Sequence, residues 1–195
     1  MAGLAFFGFS LGLVVRADLG LAPWDVFHQG VSQQLGWSLG TVIVATSFVV
    51  VVLWIPIRER PGIGTLANAV LVGIWVDISL WILPEVFSSL VLRFVLLIVG
   101  IVVNGVATGL YIGARFGSGP RDGLMTGLAA RGYSVRVVRT IIEAIVLISG
   151  FALGGSVGLG TVMFAVAIGP IAHQAIPFFT KFTATSKKPS PIEAT

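Results

Sequence analysis

The residues of this chain that could take part in chemistry are a few charged side chains set among apolar neighbours. Asp77 and Glu143 each lie inside a long apolar stretch, and Arg139 precedes Glu143 by four residues. In a helix this spacing places Arg139 and Glu143 on one face, where they can form an ion pair. Ionisable side chains in apolar spans are candidates for ion coupling or solute binding, because they are costly to bury without a function.

A second set of candidates lies in two breaks that contain glycine and proline. One break reads Gly20-Leu21-Ala22-Pro23-Trp24-Asp25, and the other reads Gly117-Ser118-Gly119-Pro120-Arg121-Asp122. A helix that begins after such a break offers free N–H groups, which suit an anionic group. The candidate binding residues there are Pro23, Asp25, Gly119, Pro120, Arg121 and Asp122, with Arg121 as the residue that would orient an anion.

Each candidate also has a purely structural interpretation. Asp25 and Asp122 stand where they could simply cap the two short helices. Arg139 and Glu143 could form a self-neutralised pair, since pairing offsets much of the cost of burial. Asp77 has no partner nearby in sequence, so it either extends to the membrane surface or lines a cavity as a coupling carboxylate. His173 takes the place in repeat 2 that is equivalent to Asp77, and it could equally pack as a hydrogen-bonded histidine.

The composition indicates that lipid surrounds most of the chain. Of the 195 residues, 56% are hydrophobic and only 10% are charged, whereas soluble domains have about 25% charged residues. The net charge of +4 is too small and too widely spaced to indicate nucleic-acid binding. Cysteine is absent, which excludes disulfides and thiolate metal sites. We therefore expect an all-α integral membrane protein without cofactor or metal.

Six apolar stretches predict six membrane-spanning helices. A span needs about 20 residues, and the first stretch is shorter than that, so we expect that the natural protein starts upstream of Met1. Two further segments, 24–35 and 121–131, are too polar to cross and are predicted to form short non-spanning helices. The predicted spans are Met1–Val15, Leu39–Ile57, Gly62–Leu83, Phe94–Ala114, Val137–Leu153 and Gly160–Thr180.

An internal repeat relates the two halves of the chain. Residues 12–30 align with residues 109–127 at a separation of 97 positions, and after a gap of one residue the separation is 96. Among the matched pairs are Gly20 with Gly117, Pro23 with Pro120, Asp25 with Asp122 and Gly30 with Gly127. We therefore predict one membrane domain, made of repeat 1 (residues 1–83) and repeat 2 (residues 84–180), followed by a disordered cytoplasmic tail (residues 181–195).

An odd number of spans in each repeat means that the second repeat should insert upside down. With the N-terminus inside, only Arg16 and Arg93 fall on the outer side, and ten other basic residues fall on the inner side. This arrangement follows the positive-inside rule and places both termini in the cytoplasm. Tryptophans at the ends of predicted spans are typical of interfacial anchors. The inner basic residues are Arg58, Arg60, Arg115, Arg121, Arg131, Arg136, Arg139, Lys181, Lys187 and Lys188, and the tryptophans are Trp24, Trp37, Trp54 and Trp81.

The chain resembles the YczE/YyaS/YitT group of bacterial integral membrane proteins over about residues 5–178. The residues that carry the resemblance are the runs 16–25 and 117–125, Arg139-Thr140-Ile141-Ile142-Glu143, and Gly158-Leu159-Gly160-Thr161. The resemblance implies a location in the bacterial inner membrane and the family's description as a transporter, with no substrate attached.

Inverted repeats with broken helices are typical of secondary transporters, whose site lies between the repeats. We therefore expect a secondary transporter or permease for a small solute, with Asp77 and Glu143 as coupling carboxylates. The chain could instead be a substrate-binding subunit that needs an energising partner, or a regulatory membrane protein, and it could form homo-oligomers. No nucleophile elbow, Walker loop or HExxH motif is present, so we do not expect an enzyme.

Overall fold

The computed structural model describes residues 1–85, 87–113 and 117–186, and the regular structure of these residues is entirely helical. This confirms the predicted all-α class. The helices of the described residues are α1 (Ala2–Ala17), α2 (Pro23–Leu35), α3 (Leu39–Val52), α4 (Trp54–Ile57), α5 (Ile63–Ile82), α6 (Leu90–Gly113), α7 (Pro120–Ala129), α8 (Val135–Ala152) and α9 (Leu159–Ser186).

Four helical stretches of the described residues are long and apolar enough to cross a membrane: Leu39–Ile57, Ile63–Ile82, Leu90–Gly113 and Leu159–Lys181. The other two predicted spans differ for separate reasons. α1 has 16 residues, which gives a length of only about 24 Å. α8 has 18 residues, but Arg136, Arg139 and Glu143 interrupt its apolar character.

Helix termini and loops meet at two ends of the molecule. At the first end, Arg16 donates to the carbonyl of Leu80, and Arg93 donates to the carbonyl of Ala17 at 2.7 Å. At this end the 153–160 loop also packs against the segment that follows α1, because Gly160 N donates to the carbonyl of Leu19 at 2.6 Å.

At the second end, Thr65 donates to the carbonyl of Ser118 at 2.7 Å, and Arg131 donates to that of Pro56 at 2.6 Å. The described basic residues Arg58, Arg60 and Arg131 gather there. Arg115, Lys187 and Lys188 lie outside the described residues.

Both short helices, α2 and α7, start at the centre of the molecule. In each case the chain reaches the centre from one end of the molecule, and the helix leads it back to that same end. α2 begins with Pro23 at its first turn and ends at the first end, where Gln34 donates to the carbonyl of Leu153 at 3.0 Å. α7 begins with Pro120 and ends at the second end beside α4. A proline suits a helix start because its missing N–H would have no helical partner there.

Small residues allow α1 and α6 to pack closely along an antiparallel crossing. A Cβ at Gly3 would lie 3.0 Å from Leu110, and one at Gly100 would lie 2.7 Å from Val14. The two contacts correspond under the sequence repeat, since Gly3 aligns with Gly100 at 97 positions. Near the middle of the crossing, Asn104 donates to the Ser10 hydroxyl at 2.9 Å. Such small-residue contacts are typical of membrane helix packing.

In the same way, the packing of α1 on α5 corresponds to the packing of α6 on α9. A Cβ at Gly8 would collide with Trp75 at 2.6 Å, and one at Gly105 would collide with Ile171 at 2.3 Å. Gly8 aligns with Gly105 and Trp75 with Ile171. The glycines of helix α1 and helix α6 therefore set equivalent helix spacings in the two halves.

The correspondence fails at one place, between α3–α5 and α8–α9. α3 and α5 are in backbone contact, because a Cβ at Gly73 would lie 2.4 Å from the Gly40 carbonyl oxygen. The equivalent of Gly73 is Gly169 on α9, which has no atom within 4 Å of its Cβ position. Among the described residues α8 packs on α2 and α7, and it is not packed along α9.

The last helix reaches further than its predicted end at Thr180. α9 continues to Ser186, so residues 181–186 of the predicted tail are helical. Residues 187–195 lie outside the described residues.

Candidate functional site: a central cavity between the two halves

A cavity of about 470 Å³ lies at the centre of the molecule, where the N-termini of α2 and α7 face each other. Its walls come from both halves of the chain and are mostly apolar. Eight of the helices contribute to it, so residues far apart in sequence converge on it. The charged, amide and histidine side chains among the described lining residues are Asp25, Asn68, Asn104, Arg121, Asp122, Arg139, Glu143 and His173, and the aromatic side chains of Phe7, Trp24, Tyr111 and Phe164 join them.

Much of the lining consists of positions that are equivalent under the sequence repeat. The chemistry of the two members usually differs, because a polar group in one half often matches an apolar group in the other. The pairs are Phe7 with Asn104, Leu11 with Thr108, Ala22 with Gly119, Pro23 with Pro120, Trp24 with Arg121, Asp25 with Asp122, Ile43 with Arg139, Ser47 with Glu143, Asn68 with Phe164, and Val72 with Ile168.

Arg121 joins the N-termini of the two short helices. Its guanidinium lies 5.1 Å from the centre of the Trp24 ring and 3.7 Å from Oδ1 of buried Asp25. The same carboxylate oxygen is 3.3 Å from Nδ1 of His28, which is also buried. A cation over an indole ring is stabilised electrostatically. Arg121 is thus already engaged by a carboxylate and an aromatic face.

Asp122, the residue after Arg121, also lines the cavity and has a neutral partner. The Tyr111 hydroxyl donates a short hydrogen bond to its Oδ2. A Cβ at Gly119 would lie 3.3 Å from that same oxygen, 3.4 Å from the Tyr111 hydroxyl and 3.4 Å from the Asn68 amide nitrogen. Polar atoms of α5, α6 and α7 therefore surround Gly119, and the absence of a side chain there leaves them uncovered on that side.

Arg139 and Glu143 form the predicted ion pair, with Nε of Arg139 2.8 Å from Oε1 of Glu143. Both side chains also line the cavity, as does His173 on α9. Arg139 and Glu143 therefore pair with each other and also line the cavity. The pair is partly exposed, so its contribution to stability is modest.

Asp77 is the candidate that the structure places elsewhere. Its carboxylate accepts from the Ser38 hydroxyl at 2.6 Å and from the Gly40 N–H at 2.7 Å. It thus caps the N-terminus of α3 at the first end of the molecule and is not among the lining residues of the cavity. The Ser38 hydroxyl and the Gly40 N–H thus engage the charge of Asp77 away from the cavity, and its role as a coupling carboxylate stays a prediction.

The other aspartates are not caps in the predicted sense. α2 and α7 start without a side-chain hydrogen bond at the N-cap. Asp25 instead contacts His28 of the same helix, and Asp122 accepts from Tyr111 of α6. Both residues still stand in a first helical turn, where a negative charge is favourable.

Sequence reasoning missed Tyr111 and His28, which lack a local motif, although His28 follows Asp25 by three residues.

The sequence prediction was also wrong about two tryptophans. Trp37 and Trp81 are exposed as interfacial anchors should be, but Trp24 lines the cavity and Trp54 is buried, donating to the carbonyl of Pro120 at 3.0 Å.

Comparison with known proteins assigns the chain to a family. Residues 1–177 match the family described as "Family of unknown function (DUF6198)". The chain belongs to this family. An uncharacterised protein of Haemophilus influenzae is 39% identical over 171 residues, which cover 87% of this chain and 78% of that protein.

Two relatives come from Bacillus subtilis. The uncharacterised membrane protein YczE is 33% identical and covers 90% of this chain and 83% of its own length. The uncharacterised protein YyaS is 26% identical over 90% and 89%, respectively. No solved structure matches. The similarity to YczE and the apolar helices make this DUF6198 chain a membrane protein, and the suspected kinship with the YczE and YyaS group is confirmed.

Proposed function

We propose that the protein is a six-span transporter of the bacterial inner membrane that moves a small solute through the central cavity. In this proposal its two halves are inverted repeats of three spans and one non-spanning helix. The observation that carries the proposal is the cavity itself, because many of its lining residues occupy equivalent positions in the two halves of the chain. A site at the interface of inverted repeats is the arrangement that secondary transporters use.

The helix contacts support the inverted arrangement. α1 and α6 are repeat equivalents, run antiparallel and contact each other reciprocally through Gly3 and Gly100. Equivalent helices with opposite directions require a two-fold axis perpendicular to the helices, which lies in the plane of the membrane when the helices span it. Polar helix starts at the cavity fit the same proposal, since irregular backbone within a membrane must line a cavity or be covered by protein.

The asymmetry of the two halves supports movement. The closed α3–α5 contact at Gly40 and Gly73 has an open counterpart between α8 and α9, where Gly169 faces empty space. Exchange of the open and closed states between the halves would expose the cavity alternately to the two sides of the membrane, as alternating access requires.

Thiol labelling in oriented membrane vesicles tests this proposal, and the natural absence of cysteine removes any background. Ser47 is buried and lines the cavity, so Ser47→Cys replaces a hydroxyl by a thiol at the site. We expect a membrane-impermeant maleimide to label it in both right-side-out and inside-out vesicles. Labelling from one face only would instead favour a regulatory protein or a subunit that waits for an energising partner.

Val166→Cys on α9 is the matched control. Its side chain is 70% exposed on the outside of the helix bundle and is absent from the cavity lining. A thiol in contact with lipid should react slowly from either face, because the reactive thiolate is disfavoured in apolar surroundings.

A further inference from the structure

Among the described residues, the charges that line the cavity do not balance, and the imbalance lies at one residue. In the described part of the chain, two guanidinium groups and three carboxylates line the cavity. Arg121 lies 3.7 Å from Asp25, and Arg139 lies 2.8 Å from Glu143. Within residues 1–85, 87–113 and 117–186, no basic side chain approaches Asp122 to 4.0 Å, and its hydrogen-bond partner is the neutral hydroxyl of Tyr111.

We propose that the cavity takes a small organic cation with an apolar body, and that the positive group lies against Asp122. This inference rests on the proposed function, and it names the class of solute for that same cavity. Gly119, Tyr111 and Asp122 all line the cavity. A Cβ at Gly119 would contact the Asp122 carboxylate and the Tyr111 hydroxyl oxygen at 3.3 and 3.4 Å, so the lack of a side chain there leaves both oxygens uncovered on that side, and both can accept hydrogen bonds from an ammonium group.

The walls of the cavity suit the rest of such a molecule. Phe7 and Tyr111 meet edge to face with their ring centres 5.8 Å apart, and Phe164 lines the cavity from α9. Aromatic faces attract cations and also bury apolar surface. An anion would instead depend on Arg121, whose guanidinium already lies against Asp25 and over Trp24. Charge complementarity therefore favours a cation over the anion that the sequence predicted.

The experiment compares solutes of equal shape and different charge on the purified full chain in detergent. 2-Phenylethylamine and hexylamine are the cations, 2-phenylethanol and hexanol are the neutral analogues, and 3-phenylpropionate and hexanoate are the anions. We expect at least one cation at saturation to raise the melting temperature by about 5 °C, and its neutral and anionic analogues to leave it unchanged. This comparison requires no variant.

Variants then locate the charge. Asp122→Asn should weaken cation binding at least about tenfold, measured by calorimetric titration, because a charge-assisted contact is lost. Tyr111→Phe keeps the carboxylate and should retain the preference for cations. Glu59→Gln removes an exposed carboxylate at the second end and should bind the cations like the natural chain.

Two results would overturn the proposal while leaving transport intact: cation binding that Asp122→Asn does not weaken, and binding of an anion that Arg121→Ala abolishes. A panel without any stabilising cation also overturns it. In that case the labelling of Ser47→Cys decides separately about the transporter, because that experiment needs no ligand.

Discussion

At the scale of single residues, Asp77 and Asp122 show how the same type of side chain can have two roles. Asp77 lies beside the N-terminus of α3 and accepts a hydrogen bond from the Gly40 N–H at 2.7 Å. Asp122 lies in the cavity with the hydroxyl of Tyr111 as its partner. A carboxylate bound by helix N–H groups stabilises the fold, whereas one with a single neutral partner keeps capacity for a ligand.

Asp77→Ala should therefore lower the stability of the protein by about 1–2 kcal/mol, the usual effect of removing a helix cap. Solute binding in the cavity should be unchanged, because Asp77 does not line it. Thermal unfolding and ligand titration of the same purified variant measure both effects. Glu85→Ala, which removes an exposed carboxylate at the same end, should leave both unchanged. A loss of binding without a loss of stability would restore Asp77 as a coupling carboxylate.

Trp54 makes a second prediction at this scale. Its ring packs against Gly123 of α7, and its Nε1 donates to the Pro120 carbonyl at 3.0 Å. Trp54→Phe should cost about 1–3 kcal/mol, because the buried carbonyl loses its donor. Trp37→Phe is the control, since this exposed ring makes no such bond from its nitrogen among the described residues. Equal melting temperatures for the two variants would mean that the bond does not hold α7 in place.

At the scale of elements, the two glycine breaks set the starting direction of the short helices. Gly20 has φ 105° and Gly117 has φ 121°, conformations that residues with a Cβ rarely adopt. Each glycine also packs on an equivalent glycine–threonine pair at the start of a long helix, Gly158 and Thr161 for Gly20, and Gly62 and Thr65 for Gly117. These contacts hold the first break against the start of α9 and the second break against the start of α5.

Gly20→Ala and Gly132→Ala separate backbone strain from crowding. Both positions have positive φ, 105° and 99°, so each alanine variant should lose about 1 kcal/mol or more from strain. A Cβ at Gly20 would also lie 2.5 Å from the Gly158 nitrogen, whereas Gly132 has nothing within 4 Å. Gly20→Ala should therefore be the less stable variant by about 1–3 kcal/mol, as melting temperatures would measure. Equal losses would mean that the loops can separate without cost.

At the scale of the whole molecule, the contacts divide the polar segments between two ends, and basic residues gather at the second. Arg58, Arg60 and Arg131 lie there, while Arg16 and Arg93 bind carbonyl groups at the first end. The positive-inside rule therefore predicts that the second end faces the cytoplasm.

Single cysteines at exposed positions near the two ends test this orientation. Gln33→Cys and Ser88→Cys at the first end should react with an impermeant thiol reagent only in right-side-out vesicles. Pro61→Cys and Tyr133→Cys at the second end should react only in inside-out vesicles. Gln33 is the decisive position, because α2 returns to the first end only if it does not cross. Labelling of Gln33→Cys from the side opposite to Ser88→Cys would mean that α2 spans the membrane.

The sequence by itself determined the features that depend on local chemistry. Low charge with long apolar runs requires a membrane, and the prolines of the two glycine-containing breaks stand where α2 and α7 begin. The four-residue spacing of Arg139 and Glu143 was enough to predict their pair, since a helix places such neighbours on one face. The repeat was likewise readable from collinear matches such as Pro23 with Pro120.

Tertiary structure alone decided which charges meet. Arg121 and Asp25 are 96 positions apart, and Asp77 finds the amide of Gly40 from a different helix. Such partners depend on helix spacing, which glycines such as Gly8 and Gly105 set by their contacts with other helices. The same holds for the gap between α8 and α9. Two halves with one pattern in sequence differ in packing there, because Gly73 finds a glycine to contact and Gly169 does not.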